Sequence, residues 1–263
     1  MIKIKKIDLH SIRYFYDLLL TLTKKEIKVK YKNNFFGYLW TLGNPLLFTL
    51  VYYIVFKTVM RLGIHHYAVF LITALLPWQW INNAIVNNLF TFLSNAQIIK
   101  KTKFPKSTLP FSVVLTEAFN FILSIPVILF FLWLANIHLH IIDYLIWIPI
   151  LCAIQTSICY GIGLITSSLN IFFRDLERII QIFFMLLFYL TPILYTPNMV
   201  PKKYLWVINL NPFTSIIVCW RNLFMTGKIN YYFLSNSIIF SLLSLTFGFI
   251  IFNWLKYKFA EVL

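Results

Sequence analysis

Charged side chains cut the chain into long uncharged runs. Between successive Asp, Glu, Lys and Arg residues lie 33–56, 62–99, 118–142, 144–173, 179–201, 204–220 and 229–255. A helix that crosses the hydrocarbon core of a bilayer needs about 20 predominantly apolar residues. Six runs reach that length and 204–220 does not. Run 62–99 holds a single span, because its second half carries Asn82, Asn83, Asn87, Asn88, Ser94 and Asn95 and no turn signal divides it. The pattern predicts an all-α membrane protein with six transmembrane helices, at 35–58, 66–92, 109–135, 143–170, 178–196 and 232–255, in one domain over 1–263.

The short run reads YLWVINLNPFTSIIVCW, with Asn209, Asn211 and Pro212 near its middle. Proline removes a backbone donor and breaks a helix interior. Lipid tolerates no exposed broken backbone. Residues 197–228 are therefore expected to form short re-entrant helices on the outer face before the last span. The alternative is a kinked seventh crossing.

Ahead of the first run, Arg13, Asp17, Thr21, Lys24 and Lys28 recur at helical spacing along one stripe, with Ile12, Tyr16, Leu19, Leu20 and Ile27 largely off it. Glu26 precedes Lys30 by four residues, the favourable order for a helical ion pair. This predicts an amphipathic interface helix over 10–32. It serves either as a lipid anchor or as a docking surface for a cytoplasmic partner.

Composition agrees with lipid as the solvent. Only 12% of the residues are charged and 60% are hydrophobic, against about 25% charged in soluble domains. Mean hydropathy is +0.79. The net charge of +15 reads as a topology signal, since cytoplasmic loops carry the Lys/Arg excess. With six spans and both termini inside, seventeen of the 23 basic residues face the cytoplasm. A seventh span would place Lys256 and Lys258 outside. No soluble segment is long enough for a nucleic-acid-binding face. Asp8, His10, Arg13 and Asp17 interrupt any secretory signal pattern at the start.

Candidate chemistry is sparse. The loop SNAQIIKKTKFPKSTLP (94–110) surrounds Phe104 and Pro105 with lysines. Pro105 favours an extended residue before it, so a short helix should end near Lys103. The next inner loop, FFRDLERI (172–179), carries Arg174, Asp175, Glu177 and Arg178; Asp175 is placed to cap the helix that follows. Its acids serve as caps or as partner contacts. Glu117, with Asn120 three residues on, is an intramembrane ionisable group and a functional candidate by default; structural pairing and a transport role are both open. His138, His140 and Asp143 make at most a weak metal site, and no metal is expected. Cys152, Cys159 and Cys219 have no ligand spacing. The pair Gly227-Lys228 lacks the first Gly and the Ser/Thr of a phosphate-binding loop. This chain should therefore hold no catalytic residue and no cofactor.

The stretch KKEIKVKYKNNFFGYLWTLGNPLL (24–47) resembles the opening of ABC-2 type permeases that export polysaccharides, with Gly37, Leu39, Trp40 and Pro45 matching. NAQIIKKTKFPKSTLP, FFRDLERI, TPILYTPNMVP and LNPFTSIIVCWRNLF resemble later segments of the same family, in the same order. The resemblance implies a homodimer with two nucleotide-binding ATPase subunits, which would hold ATP and Mg. It implies an undecaprenyl-linked polysaccharide as substrate, O-antigen foremost, and a multi-pass protein of the cytoplasmic (inner) membrane. Contact with the ATPases would fall on Lys24, Lys28, Tyr31, Lys100, Lys101, Phe104, Pro105, Arg174, Asp175 and Glu177.

Sugar rings stack on aromatic faces, so Phe183, Phe184, Phe188, Tyr189 and Tyr195 of the fifth span are candidates for a channel or gate. The alternative for each is an interfacial or lipid-facing aromatic. Gly161 and Gly163, with Ser157, Ser167 and Ser168, give the fourth span a face for close helix packing. An exporter of a small drug or lipid is the main rival to polysaccharide export. A membrane-embedded transferase would need acids or histidines clustered at one face.

Overall fold

A computed structural model of the chain describes residues 9–32, 39–61 and 63–262. All regular structure among the described residues is helical. Helix α1 covers Leu9–Tyr31, and α2 covers Leu39–Tyr52 and runs directly into π-helical turns at Tyr53–Val59. Then come α3 (Tyr67–Leu89), the short α4 (Thr91–Ser94) and α5 (Ala96–Lys101), α6 (Thr108–Leu134) and α7 (Ile141–Asn170). After these follow α8 (Leu176–Leu190), α9 (Leu205–Leu210), α10 (Pro212–Thr226), α11 (Tyr231–Leu255) and α12 (Phe259–Val262). By length and composition α3, α6, α7 and α11 are long and apolar enough to cross a membrane. The chain is a multi-pass membrane protein.

The first expected span lies partly outside the described residues, as do Gly37 and Lys3, Lys5 and Lys6. The fifth was expected to run to 196, but α8 stops at Leu190. Pro192 is the reason: it drives the residue before it out of the helical region, and Thr191 is extended at φ −86, ψ 137. Helix α5 likewise ends at Lys101, two residues before the expected Lys103, with Thr102 extended at φ −129, ψ 143. Asp175 stands at the start of α8, but its side chain makes no capping hydrogen bond.

Helix α3 is the hub. It packs against α2, α6, α7, α8 and α10, and most of its side chains are buried. Helices α7 and α11 run parallel. Trp147 meets Tyr231 near their starts, and Tyr160 meets Phe249 further along. Beside the second contact the backbones touch. A Cβ on Gly161 would collide with the Ser244 carbonyl, and one on Gly248 with the Gly161 carbonyl. Small residues at a membrane-helix contact permit this approach.

Helix α10 begins in the middle of the bundle, where Phe213 packs on Trp78, Phe184 and Phe240. It ends beside the start of α7, where the Tyr144 hydroxyl donates to the Phe224 carbonyl at 2.9 Å. Pro212 occupies the first turn, where its missing N–H costs nothing, and the Asn211 side chain accepts from Phe213 N at 3.0 Å. Gly227 closes the helix at φ +67, a conformation suited to glycine. His140 packs against it where a Cβ would sit. At this same end the Arg221 guanidinium donates to the Ile193 carbonyl at 2.9 Å and lies 3.7 Å over the Phe70 ring.

The opposite end is closed by an aromatic cluster. Phe259 of α12 packs on Phe92, Phe172 and Phe252, and the Lys106 ammonium sits 5.7 Å over its ring. The lysine loop, the α7–α8 turn and the C-terminal helix thus converge at one end of the bundle. Helix α1 lies along α6 and reaches the same region, with Lys25 Nζ donating to Asn95 Oδ1 at 2.9 Å.

Candidate functional site

The C-terminal end of α1 meets α6 through a polar network centred on the buried Glu117 and Asn120. Lys30 Nζ lies 2.6 and 2.8 Å from the two carboxylate oxygens of Glu117. Asn87 Nδ2 donates to Oε1 at 3.0 Å and Asn120 Nδ2 to Oε2 at 3.0 Å. The Tyr31 hydroxyl donates to Asn120 Oδ1 at 2.6 Å. The helical ion pair expected between Glu26 and Lys30 is not formed. Glu26 pairs with the neighbouring Lys25 at 2.8 Å, and Lys30 turns to the more deeply buried acid. Glu117 is only 3% exposed, and a charge so buried is strongly unfavourable unless paired.

Beside this network a cleft of about 430 Å³ opens between α2, α3 and α6. Helical spacing builds its walls: Leu76, Gln79 and Asn83 share one face of α3, and Glu117, Asn120 and Ser124 one face of α6. Helix α2 adds Trp40, Asn44 and Phe48. Trp80 closes the back, stacked on Phe121 at 5.2 Å. A second cavity of about 320 Å³ lies on the other side, lined by Asn87, Asn95 and Glu26. Lys30 and Glu117 line both cavities, so the ion pair stands between them.

The residues expected to meet ATPases fall into three places. Lys24 and Lys28 are exposed on α1 and share a shallow basic concavity with Lys25 and Lys32. Lys100 and Lys101 are exposed, Phe104 is half-buried and Pro105 exposed; the lysines and Phe104 line a small depression with Lys103 and Lys106. Arg174 and Asp175 are exposed, and Glu177 accepts from Gln181 Nε2 at 3.2 Å. Tyr31 stands apart from them, inside the polar network.

The aromatic set of α8 divides. Phe184 is buried against Trp78, and Phe188 packs on Tyr52 and Trp78. Phe183 and Tyr189 are exposed. Tyr195, beyond the helix, donates to the Tyr189 and Leu190 carbonyls, both at 3.2 Å. Glu117 and Asn120 come together as their spacing suggests. Their partners Lys30 and Asn87 went unrecognised in the sequence, and so did the cleft amides. The signal was present: Gln79, Asn83 and Asn87 follow one another at helical spacing. Among the described residues no three His, Cys, Asp or Glu side chains gather in a way that holds a metal ion.

The helices that wall the cleft all lie within residues 17–225, which match the model of the ABC-2 type transporter family. The chain belongs to that family. Similar proteins include the O-antigen export system permease protein RfbA of Klebsiella pneumoniae, 48% identical over 97% of this chain and 98% of the relative. A protein of the same description from Myxococcus xanthus is 32% identical over 81% of this chain and 82% of its own length. The polysialic acid transport protein KpsM of Escherichia coli is 20% identical over 78% of this chain and 80% of its own. The ABC-2 assignment makes the chain a transporter permease and not itself an enzyme.

Proposed function

We propose that this chain is the membrane-spanning subunit of an ABC transporter that exports a lipid-linked polysaccharide, O-antigen, across the cytoplasmic membrane. The observation that carries the reading is the likeness to O-antigen export permeases over nearly the full length of both chains. In this reading the permease works as a homodimer with two ATPase subunits that bind ATP and Mg, and the glycan rides on an undecaprenyl-type lipid. Lys24, Lys28, Lys100, Lys101, Phe104, Pro105, Arg174, Asp175 and Glu177 receive the ATPases. Tyr31 acts one step inward, through Asn120. The exposed rings of Phe183 and Tyr189 face the glycan path, and Phe184, Phe188 and Tyr195 hold α8 in shape behind them.

Six crossings, counting α2 and α8, fit this single-domain architecture. The parallel course of α7 and α11 supports the count. Between them α8 makes one crossing, and α9 with α10 makes an excursion that returns to the end where it began. Both termini then lie in the cytoplasm with most of the lysines. Exposed Tyr14, Tyr16, Leu20 and Val29 on α1 suit a helix that lies in the membrane interface.

Deletion of the gene tests the reading. Surface O-antigen should disappear while lipid-linked glycan accumulates inside, and glycolipid should stimulate ATP hydrolysis by the purified permease–ATPase complex. Unchanged surface glycan would point instead to a small drug or lipid substrate.

A further inference from the structure

We propose that the cleft between α2, α3 and α6 is a binding subsite for an uncharged sugar ring of the exported glycan. The inference rests on the export reading above and assigns a place within it.

Four amide side chains of the cleft, those of Asn44, Gln79, Asn82 and Asn83, make no hydrogen bond within the protein among the described residues. A primary amide offers two donors and an acceptor; Asn44 and Asn83 are exposed and Gln79 and Asn82 half-buried, so all four are open to a ligand. The indole N–H of Trp80 is buried without a partner. A ligand with both donors and acceptors suits this set of groups. Hydroxyl groups satisfy that description, since each donates one hydrogen bond and accepts others.

The aromatic share narrows the class. Trp40 and Phe48 present rings at the mouth, 51% and 46% exposed. A pyranose carries hydroxyls around its rim and C–H groups on its faces, so it meets amides and rings together. Charge narrows it again. Lys30 and Glu117, the ionised groups lining the cleft, neutralise each other at 2.6 Å. No excess positive charge waits for an acidic sugar, and no free carboxylate for an amino sugar. At about 430 Å³ the space lies within the range of small-ligand sites, about 300–1,000 Å³.

The test uses the full permease with its ATPase in cells that make the glycan. A photo-crosslinking amino acid replaces Asn83, an exposed cleft residue, and in separate strains Phe183 on α8 and the exposed Leu243 on α11. The expected result is a glycan-bearing adduct at Asn83 and none at Leu243. No adduct at Asn83, or equal yield at Leu243, overturns the proposal. An adduct at Phe183 alone leaves export and the α8 path standing and overturns the cleft subsite. Unchanged surface glycan in the deletion strain removes the export reading and the subsite with it. Asn82→Leu and Gln79→Leu remove two amides while keeping the helix apolar. Both should express normally and lose the Asn83 adduct; retention of the adduct in both overturns the amide contact.

Discussion

Lys30 on α1 and Glu117 on α6 lie 87 residues apart in sequence and 2.6 Å apart in space. The pair fastens the basic N-terminal helix to the middle of the bundle. Two further amides, Asn87 and Asn120, complete the carboxylate's shell. Glu117→Ala should lower the melting temperature of the purified protein and abolish glycan export, whereas Glu117→Gln should retain part of both. Removing one partner of a fully buried pair costs about 3–5 kcal/mol. Lys30 is 34% exposed, so about 1–3 kcal/mol is expected here after solvent screening. Equal melting temperatures for the Ala and Gln variants would contradict this account.

The α7–α11 contact predicts a graded response to added methyl groups. Gly161→Ala places a Cβ against the Ser244 backbone, which cannot swing aside. The loss should be about 1–3 kcal/mol, read as earlier thermal unfolding in detergent. Gly163→Ala meets the Asn88 side chain, 2.6 Å from its Nδ2, and a side chain can turn away. It should therefore melt closer to the parent protein than Gly161→Ala does.

Arg221 holds the segment after α8 to α10 and α3. Arg221→Lys keeps the charge but loses the planar group over Phe70, so it is not a conservative change. Hydrogen bonds to charged groups contribute about 1.5–3 kcal/mol. Amide hydrogen exchange around Ile193 should accelerate in Arg221→Lys and in Arg221→Met. Unchanged exchange in both variants would show that the Ile193 bond contributes nothing to this loop.

The exposed lysines separate docking from folding. Lys24→Glu with Lys28→Glu, or Lys100→Glu with Lys101→Glu, should leave the melting temperature nearly unchanged, because exposed substitutions typically shift stability by less than about 0.5 kcal/mol. Co-purification of the ATPase with the permease should fall sharply. Full ATPase recovery from both double variants would move the docking surface elsewhere.

Much of this fold was legible as run length. Helices α6, α7 and α11 begin and end within two residues of the spans expected from uncharged stretches, because a membrane helix is selected for continuous apolarity over a set length. The end of α8 was legible too, in Pro192, but long apolar runs draw the eye past one proline. The small face of α7 was visible as Gly161 and Gly163; its partner, Gly248, was not, because nothing local marks a contact 87 residues away. The same limit hid Lys30. Glu117 stood out as a lone acid in a span, yet its cation sits on a different helix. In the sequence the asparagines of α3 register only as an excess of polarity. Their meaning depends on what faces them, and that is a property of the packed bundle.

Where α7 and α11 touch at Gly161, Ser244 and Gly248, backbone meets backbone. The consequence is mechanical. These two helices should move as one body, and a stroke that opens a path should be carried by other helices, α2 and α8 foremost. A spin label on each of Ser157 and Thr246 should keep one fixed separation through the ATP cycle, while a label on Phe183 moves against both.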